Sequence, residues 1–269
     1  MIRVAAVQMT SGPEVADNLN VAAGLIADAA DGGARLIVLP ENFAFMGKND
    51  SERLRVAETP GDGPIQEFLS TQACETGAWI VGGTIPILTP DHDKLWSATL
   101  VYDDQGSQVA RYDKIHLFDV SIPERNERYH ESEKTEPGHE VIVVATPFGR
   151  LGLSVCYDLR FPEMFRRMQA EDVELIAVPA AFTATTGGAH WEVLLRARAI
   201  ENLCFVVAAA QGGMHSNGRE TNGDSMIVDP WGIVLERKEA GVGVVVADID
   251  SEEQVKIRRD FPALSHRRM

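Results

Sequence analysis

The sequence predicts an α/β protein in which two β-sheets stack face to face and helices cover the outer face of each sheet. Three observations lead to this prediction. Short, β-branched-rich apolar runs alternate with amphipathic stretches along the 269 residues. The runs typical of strands are many and those typical of helices few, which argues against a barrel of eight equal βα units. A hydrophobic content of 45% suffices for a substantial core, although length alone allows one large domain or two small ones.

Each predicted strand is a short apolar run bounded by Gly, Pro or Asp. In order, the predicted strands are residues 2–8, 35–39, 78–83, 97–102, 108–112, 141–146, 150–155, 173–178, 204–210, 225–229, 233–237 and 243–248. The predicted helices are residues 14–31, 63–76, 160–170, 189–203 and 251–259. The first helix meets Gly32 and Gly33, which favour a C-terminal stop. The polar stretch from Phe118 to Glu140 is predicted to be a long loop at the mouth of a site.

Composition excludes several classes of function. The net charge of −15 argues against nucleic-acid binding, which requires clustered Lys and Arg. No apolar run reaches the length that spans a membrane, and residues 1–8 are typical of a strand rather than a secretory signal. The widely spaced Cys74, Cys156 and Cys204 form neither a disulfide framework nor a metal-binding pattern. We therefore expect a cytoplasmic protein with no required metal and no nucleic-acid or membrane partner.

Cys156 is the strongest candidate for chemistry. It ends an apolar, strand-like run, and Pro162 and Glu163 are typical of the first turn of a helix. At such an elbow the side chain points out of the sheet edge, and the backbone N–H of Tyr157 can face a substrate oxygen. The helix N-terminus would also favour a thiolate, which suits a nucleophile. The alternative is an inert structural cysteine. We expect Cys204, in an apolar run, to be a small core residue and Cys74, in a helix-like stretch, to be structural.

Three charged residues stand where they could join Cys156. Glu41 follows the apolar run 35–39, Lys114 follows the predicted strand 108–112, and Glu131 lies in the long polar stretch. If these strands align with the strand that leads to Cys156, the four side chains could meet at one edge of a sheet. Taken singly, each charge is more typical of a solvated surface residue than of a catalytic one.

Three segments resemble the signature segments of the nitrilase superfamily of carbon–nitrogen hydrolases. They are Leu-Pro-Glu-Asn at 39–42, Tyr-Asp-Lys-Ile-His-Leu-Phe-Asp at 112–119 and Ser-Val-Cys-Tyr-Asp-Leu-Arg-Phe-Pro-Glu at 154–163. The resemblance runs over nearly the whole chain. It implies one domain over residues 1–269, a four-layer α-β-β-α sandwich of two mixed sheets, a Glu41, Lys114 and Cys156 triad, and no cofactor. Glu131 resembles the second glutamate that many members carry.

Two segments also indicate the branch of the superfamily. Residues 156–163, together with Gly-Gly-Ala-His-Trp-Glu-Val-Leu-Leu-Arg-Ala-Arg-Ala-Ile-Glu at 187–201, resemble the deaminated glutathione amidases and, less closely, the ω-amidases. The resemblance implies hydrolysis of a small, anionic, linear amide. The expected substrate is deaminated glutathione, which yields 2-oxoglutarate and cysteinylglycine, and the alternative is 2-oxoglutaramate. Gly188 stands where relatives carry proline.

The resemblance assigns a chemical role to each residue. Cys156 attacks the amide carbon, and Glu41 acts as a general base whose pKa partial burial would raise. Lys114 and the Tyr157 N–H stabilise the oxyanion, while Glu131 orients Lys114 or the substrate nitrogen.

Two further candidates would bind substrate. Arg160 would bind a substrate carboxylate, unless it pairs with Asp158 or Glu163 instead. The cluster from Thr183 to Thr186, which includes Thr185, would offer hydroxyls.

Other functions remain as alternatives. A cysteine–histidine hydrolase would use His116 or His190 as its base. A thiol peroxidase would need Thr and Pro where Leu153 and Gly149 stand. A catalytically inactive binding protein would be expected to lack a charged triad residue. For partners, the resemblance suggests a homodimer built through helix 189–203 and the C-terminal segment.

Overall fold

Two β-sheets form the centre of the computed structural model, which describes residues 1–48, 50–122 and 127–268. In chain order the strands are β1 Ile2–Gln8, β2 Leu36–Val38, β3 Trp79–Val81, β4 Ile85–Leu88, β5 Leu95–Tyr102, β6 Gln108–Asp113, β7 Asp119–Ile122, β8 Glu127–His130, β9 Val143–Thr146, β10 Gly149–Leu153, β11 Leu175–Ala180, β12 Phe205–Ala210, β13 Gly212–Met214, β14 Glu220–Asn222, β15 Ser225–Val228, β16 Val234–Lys238 and β17 Gly243–Ile249. The α-helices are α1 Val15–Asp31, α2 Asp50–Arg53, α3 Pro64–Thr76, α4 Pro162–Gln169, α5 Ala184–Asn202 and α6 Ser251–Asp260.

Both large sheets are mixed. The first has the order β17-β1-β2-β3-β5-β4, with β6 paired to β5, and its β1, β2 and β3 are parallel. The second has the order β16-β15-β12-β11-β10-β9, and its β10, β11 and β12 are parallel. Antiparallel strands complete each sheet at both edges. Because β2 and β10 carry residues toward Glu41 and Cys156, the site begins at the carboxyl ends of parallel strands.

Alternation along β1 separates the layers of the fold. Ala5 and Val7 belong to an apolar cluster with residues of α1 and α3, which cover the outer face of the first sheet. Val4 and Ala6 belong to a second cluster, which contains residues of the second sheet and of α4 and α5. Successive side chains of a strand point to opposite faces, so the two sheets stack between helical layers. The predicted four-layer α-β-β-α sandwich is confirmed.

The polar stretch 118–140 contains more structure than the predicted loop. Strands β7 and β8 pair antiparallel within it, and residues 131–133 form a 3-10 turn. Among the described residues, β7 and β8 pair only with each other. Neither strand therefore needs the apolar alternation by which a strand that packs on a core is recognised in a sequence. Residues 123–126, which the prediction also covered, lie outside the described residues.

Helix α5 begins at Ala184, five residues before its predicted start. The hydroxyl of Thr183 caps it by accepting a hydrogen bond from the Thr186 N–H at 3.3 Å. The sequence pattern did not predict this first turn because glycine disfavours helix, and Gly187 and Gly188 lie there. Gly187 is required there, since a Cβ at that position would overlap the side chain of Asn222. Across the described ranges, no helix combines the length and the apolar character needed to cross a membrane.

Candidate active site

A strained turn presents Cys156 at the end of β10. The residue adopts a left-handed backbone conformation with φ of 48°, which side chains other than glycine rarely accept. A 3-10 turn runs over Cys156–Arg160, and α4 then starts with Pro162 in its first turn. The strand, sharp turn and helix therefore follow the predicted elbow. The thiol lies in a nearly buried position, since Cys156 is 7% exposed.

Asp158 joins the turn of Cys156 to the segment that carries Lys114. Its Oδ2 accepts hydrogen bonds from the Val155 N–H at 2.8 Å and the Tyr112 hydroxyl at 2.7 Å. Its Oδ1 accepts one from the His116 N–H at 3.1 Å and lies 2.7 Å from Nδ1 of the same histidine. The carboxyl is fully buried, so these bonds lock two distant parts of the chain together.

Lys114 lies between two carboxylates in the interior. Its Nζ donates to Oε1 of Glu41 and to Oε2 of Glu131, each at 2.8 Å, and all three residues are buried. The same oxygen of Glu131 accepts a hydrogen bond from the Phe118 N–H at 2.8 Å. Arg53 lies 3.8 Å from the other oxygen of Glu131. Two carboxylates and the flanking cations therefore fix the ammonium in one position.

The buried pair sets the charge of each partner. Burial would raise the pKa of the Glu41 carboxyl, but the charge and hydrogen bond of Lys114 outweigh it and hold that pKa below its ordinary value. Burial would likewise lower the pKa of the Lys114 ammonium, but Glu131 and Glu41 raise it above its ordinary value. Glu41 is therefore a carboxylate and Lys114 a cation at neutral pH. The expected rise in the pKa of Glu41 was wrong, because the prediction did not include the contact with Lys114.

The thiol of Cys156 is held as a neutral donor. Burial and the negative charge of Glu41 raise its pKa well above the ordinary value, and Lys114 offsets only part of this. The Glu41 side chain and the thiol interact, and each shifts the pKa of the other. The expectation that the helix N-terminus favours a thiolate is therefore wrong, because a carboxylate next to the sulfur disfavours a second negative charge. A carboxylate beside a neutral thiol is placed to accept its proton.

One cavity brings the four predicted catalytic candidates together. Glu41, Lys114, Glu131 and Cys156 line a cavity that opens to solvent. Further lining residues come from the segments 157–160 and 181–186 and from the β7–β8 hairpin: Tyr157, Arg160, Ala181, Phe182, Thr183, Thr186, Phe118 and Tyr129. A concave site lined by several polar side chains is typical of small-molecule binding.

The predicted substrate-binding residues divide into two groups. Tyr157, Arg160 and Thr183 line the cavity, whereas Thr185 is exposed and does not. Thr186 lines it instead, because each residue of a helix is rotated by about 100° from the one before. Of the threonine cluster, Thr183 and Thr186 therefore face the cavity, and the predicted Thr185 does not.

Arg160 is free of the structural ion pairs that were its alternative role. Within the described ranges it forms no ion pair with a carboxylate, and Asp158 is occupied by the contacts above. Its guanidinium lies 5.0 Å from the centre of the Phe182 ring and 3.0 Å from Nδ1 of His190. A guanidinium in a cavity wall can bind a carboxylate in a bidentate manner.

The two histidines of the alternative hydrolase lie elsewhere. Neither His116 nor His190 is among the described residues that line the cavity. The ring of His116 is held by Asp158 and stacks on Phe161 with 3.7 Å between ring centres. A base must reach the thiol, so Glu41 is better placed than either histidine.

Sequence reasoning missed two arginines of this cavity. Arg53 belongs to the short helix α2, and Arg219 precedes β14 in an irregular polar segment. Arg219 donates from Nη2 to the carbonyl oxygen of Ala181 at 2.8 Å, and its charge helps to lower the pKa of Glu41. No local pattern marks either residue, because only long-range packing brings them to the site.

Comparison with known proteins gives consistent results. The model of the carbon-nitrogen hydrolase family matches residues 3–259. The chain is 42% identical to deaminated glutathione amidase of Yersinia enterocolitica over 98% of this chain and 92% of that one. The similar solved structures include the following two. The crystal structure of the C. elegans NitFhit protein has a TM-score of 0.92 and 41% identity, covering 99% of this chain and 65% of that one. Saccharomyces cerevisiae Nit3, described as a member of branch 10 of the nitrilase superfamily, has a TM-score of 0.90 and 30% identity, covering 100% and 97%.

The family match extends over nearly the whole chain, and the curated relative is matched over most of its own length. Both findings agree with the resemblance carried by the three signature segments. The chain therefore belongs to the carbon-nitrogen hydrolase family, and its predicted activity as a hydrolase of carbon–nitrogen bonds is confirmed.

Proposed function

We propose that the protein is an amidase that hydrolyses deaminated glutathione to 2-oxoglutarate and cysteinylglycine through a thioester on Cys156. The observation that carries the proposal is the position of Glu41, which contacts both the Cys156 thiol and the Lys114 ammonium within one cavity. A neutral thiol beside a carboxylate is the starting state for general-base attack on a carbonyl. The similarity to relatives named deaminated glutathione amidase supports this choice of substrate.

Acylation begins with a proton transfer. As Sγ of Cys156 bonds to the amide carbon, its proton passes to Glu41 and the carbonyl electrons move onto oxygen. Lys114, with the Tyr157 N–H, stabilises this oxyanion; one well-placed donor is typically worth about 2.7–4 kcal/mol. When the oxyanion collapses, the carbon–nitrogen bond breaks and Glu41 gives its proton to the leaving nitrogen. The products of this half-reaction are a free amine and a thioester.

Deacylation repeats the same steps with water as the nucleophile. Glu41, again a carboxylate, accepts a proton as the water oxygen bonds to the thioester carbon. The carbon–sulfur bond then breaks, the proton returns to the sulfur, and the carboxylic acid leaves. Glu131 holds Lys114 in place through both half-reactions, because its carboxylate stays bonded to the ammonium while Glu41 is protonated and deprotonated.

The acyl side of the substrate carries a 2-oxo acid. We propose that Arg160 binds its carboxylate and that Thr183 offers a hydroxyl, since both residues line the cavity and Arg160 has no carboxylate partner within the described ranges. 2-Oxoglutaramate has the same acyl group and differs only in its leaving group, so it remains the second candidate substrate.

One assay panel tests the proposed function. We would measure kcat/KM for deaminated glutathione, 2-oxoglutaramate, N-carbamoyl amino acids and simple nitriles, with Cys156→Ala as the control that lacks the nucleophile. The proposal expects the highest kcat/KM for deaminated glutathione and no turnover by the variant. A nitrile as the best substrate, or residual turnover by Cys156→Ala, would contradict it.

The proposed setting of the enzyme is a homodimer in the cytoplasm. A cluster of exposed apolar side chains supports a dimer surface over α5, the turn after β15 and the C-terminal segment: Val193, Ile200, Trp231, Ile233 and Phe261. Trp231 and Phe261 contact each other with 5.6 Å between ring centres. Sedimentation equilibrium of the protein and of Val193→Asp would test this surface, since the variant is expected to be monomeric. Three free cysteines suit the reducing compartment.

A further inference from the structure

A second opening continues outward from the cavity of Cys156. It shares the wall residues Asn42, Arg53, Tyr129 and Arg219 with that cavity and has a volume of about 340 Å³. We call it the outer groove; it runs from these residues past Lys48, Arg128, Lys134 and Asn217. Arg160 lines the cavity but not the outer groove. A substrate that reaches from Arg160 past Cys156 could therefore continue into the outer groove.

The sign of the charge in the outer groove is opposite to that of the protein. Its described lining has one carboxylate, Glu133, and five cationic side chains: Lys48, Arg53, Arg128, Lys134 and Arg219. The whole chain has 40 acidic and 25 basic residues, so a random stretch of surface would be acidic. A cationic groove on an acidic protein attracts anions. Without a bound anion, its neighbouring positive charges repel one another.

Four of these five cations form no ion pair with a carboxylate within the described ranges: Lys48, Arg128, Lys134 and Arg219. Arg219 donates to the carbonyl of Ala181 and lies 5.1 Å from the centre of the Tyr129 ring, and its buried Nε has no hydrogen-bond partner. Arg128 is exposed, and its guanidinium lies 3.4 Å from Nε2 of His130. Arg53, by contrast, is engaged by Ser97 and Glu131.

We propose that the outer groove is a leaving-group subsite, in which Arg128 and Arg219 bind the terminal carboxylate of a peptide-like amine. This inference rests on the proposed function, because it takes Cys156 as the point of cleavage. Cysteinylglycine ends in a carboxylate several bonds from the scissile nitrogen, whereas ammonia offers the groove nothing. Substrates that are anionic at both ends would then be held by Arg160 on the acyl side and by the groove on the other.

Three amides with the same 2-oxoglutaryl group distinguish binding in the outer groove from the cleavage step at Cys156. Their leaving groups are cysteinylglycine, cysteinylglycine amide, which lacks only the terminal charge, and ammonia. For the wild type we expect kcat/KM for the acid to exceed that for the amide by about tenfold, the lower end for a hydrogen bond to a charged group, because the groove is open to water. This preference should shrink as salt is added, because salt screens exposed charges.

Variants of Arg128 test the assignment directly. We expect Arg128→Gln to reduce the preference for the acid, because only Arg219 then remains, and Arg128→Glu to abolish it or reverse it in favour of the amide. Lys256→Gln, which removes an exposed cation from α6, is the matched control and should keep the wild-type preference. Thermal unfolding would verify that the variants fold.

The two ways of failing are distinct. Equal kcat/KM for the acid and the amide in the wild type, or a preference unaffected by both Arg128 variants, would overturn the subsite while leaving the amidase intact. Absence of turnover for all three amides would instead overturn the proposed function.

Discussion

Replacing Asp158 with asparagine should loosen the joint between the Cys156 turn and the Lys114 segment. In the wild type, Oδ2 of Asp158 accepts hydrogen bonds from the Val155 N–H and the Tyr112 hydroxyl. Its Oδ1 accepts one from the His116 N–H and contacts Nδ1 of the same histidine. Asparagine keeps the shape but replaces one oxygen by an NH2 group. In either orientation one backbone N–H, that of Val155 or that of His116, then faces another donor. The tyrosine hydroxyl can rotate and the imidazole can change tautomer, so those two partners can adapt.

The size of the effect follows from this count. One buried donor left without an acceptor costs about 1–3 kcal/mol, and the remaining bonds lose the assistance of a charged acceptor. We therefore expect the free energy of unfolding to fall by about 2–4 kcal/mol, measured by urea unfolding and tryptophan fluorescence. We also expect kcat to fall at least about tenfold in the folded variant, because small displacements of reacting groups are costly.

A matched substitution separates this joint from a general effect of lost charge. Asp91→Asn removes an exposed carboxylate and should leave both the unfolding free energy and kcat near the wild-type values. The reasoning would be refuted if Asp158→Asn changed the unfolding free energy by less than about 0.5 kcal/mol, the range of an ordinary surface substitution.

Three further predictions follow from the charges of the interior. Between pH 5 and 9, kcat/KM should show no rise that reports a thiolate, because the pKa of Glu41 lies below 4.5 and that of Cys156 well above 9.0; a limb that rises between pH 8 and 9 would count against the neutral thiol. Lys114→Met should lower kcat by about 10² or more and move the acid limb of the profile to higher pH, because burial of Glu41 persists while its ion pair is lost; an acid limb that stays in place would argue against the pair. Burial lowers the pKa of His215 below 6.5, so the unfolded chain takes up the proton first and stability declines below pH 6.5, by at most about 1.36 kcal/mol per pH unit. Urea unfolding at pH 7 and pH 5 should show a smaller decline for His215→Asn than for the wild type, and equal declines would contradict this assignment.

The sequence predicted the two sheets, and the meeting of Glu41 and Cys156 at one edge, for a physical reason. Parallel strands such as β2 and β10 are buried on both faces and so appear as continuous apolar runs. Residues just past their carboxyl ends lie at one edge, which made Glu41 and Cys156 visible as candidates. Their association with Lys114 needed the family resemblance, because a lysine after a strand is otherwise unremarkable.

The parts that sequence reasoning missed depend on contacts between distant residues. Arg219 and the β7–β8 hairpin lie in polar segments without periodicity, and only tertiary packing brings them to the cavity. The ionisation of Cys156 was misjudged because the local turn favours a thiolate, whereas Glu41 contacts the sulfur from a remote part of the chain. The choice between Thr185 and Thr186 needed the start of α5, which Gly187 concealed.

The most direct test is to trap the acyl group. The protein is mixed with deaminated glutathione, quenched in acid within the first turnover, and examined by intact mass and peptide mapping. The account predicts that one 2-oxoglutaryl group replaces one hydrogen, that it maps to the peptide of Cys156, and that Glu41→Gln does not form it at a comparable rate. Turnover without such an adduct, or an adduct on another residue, would contradict the claim that this sulfur carries the reaction.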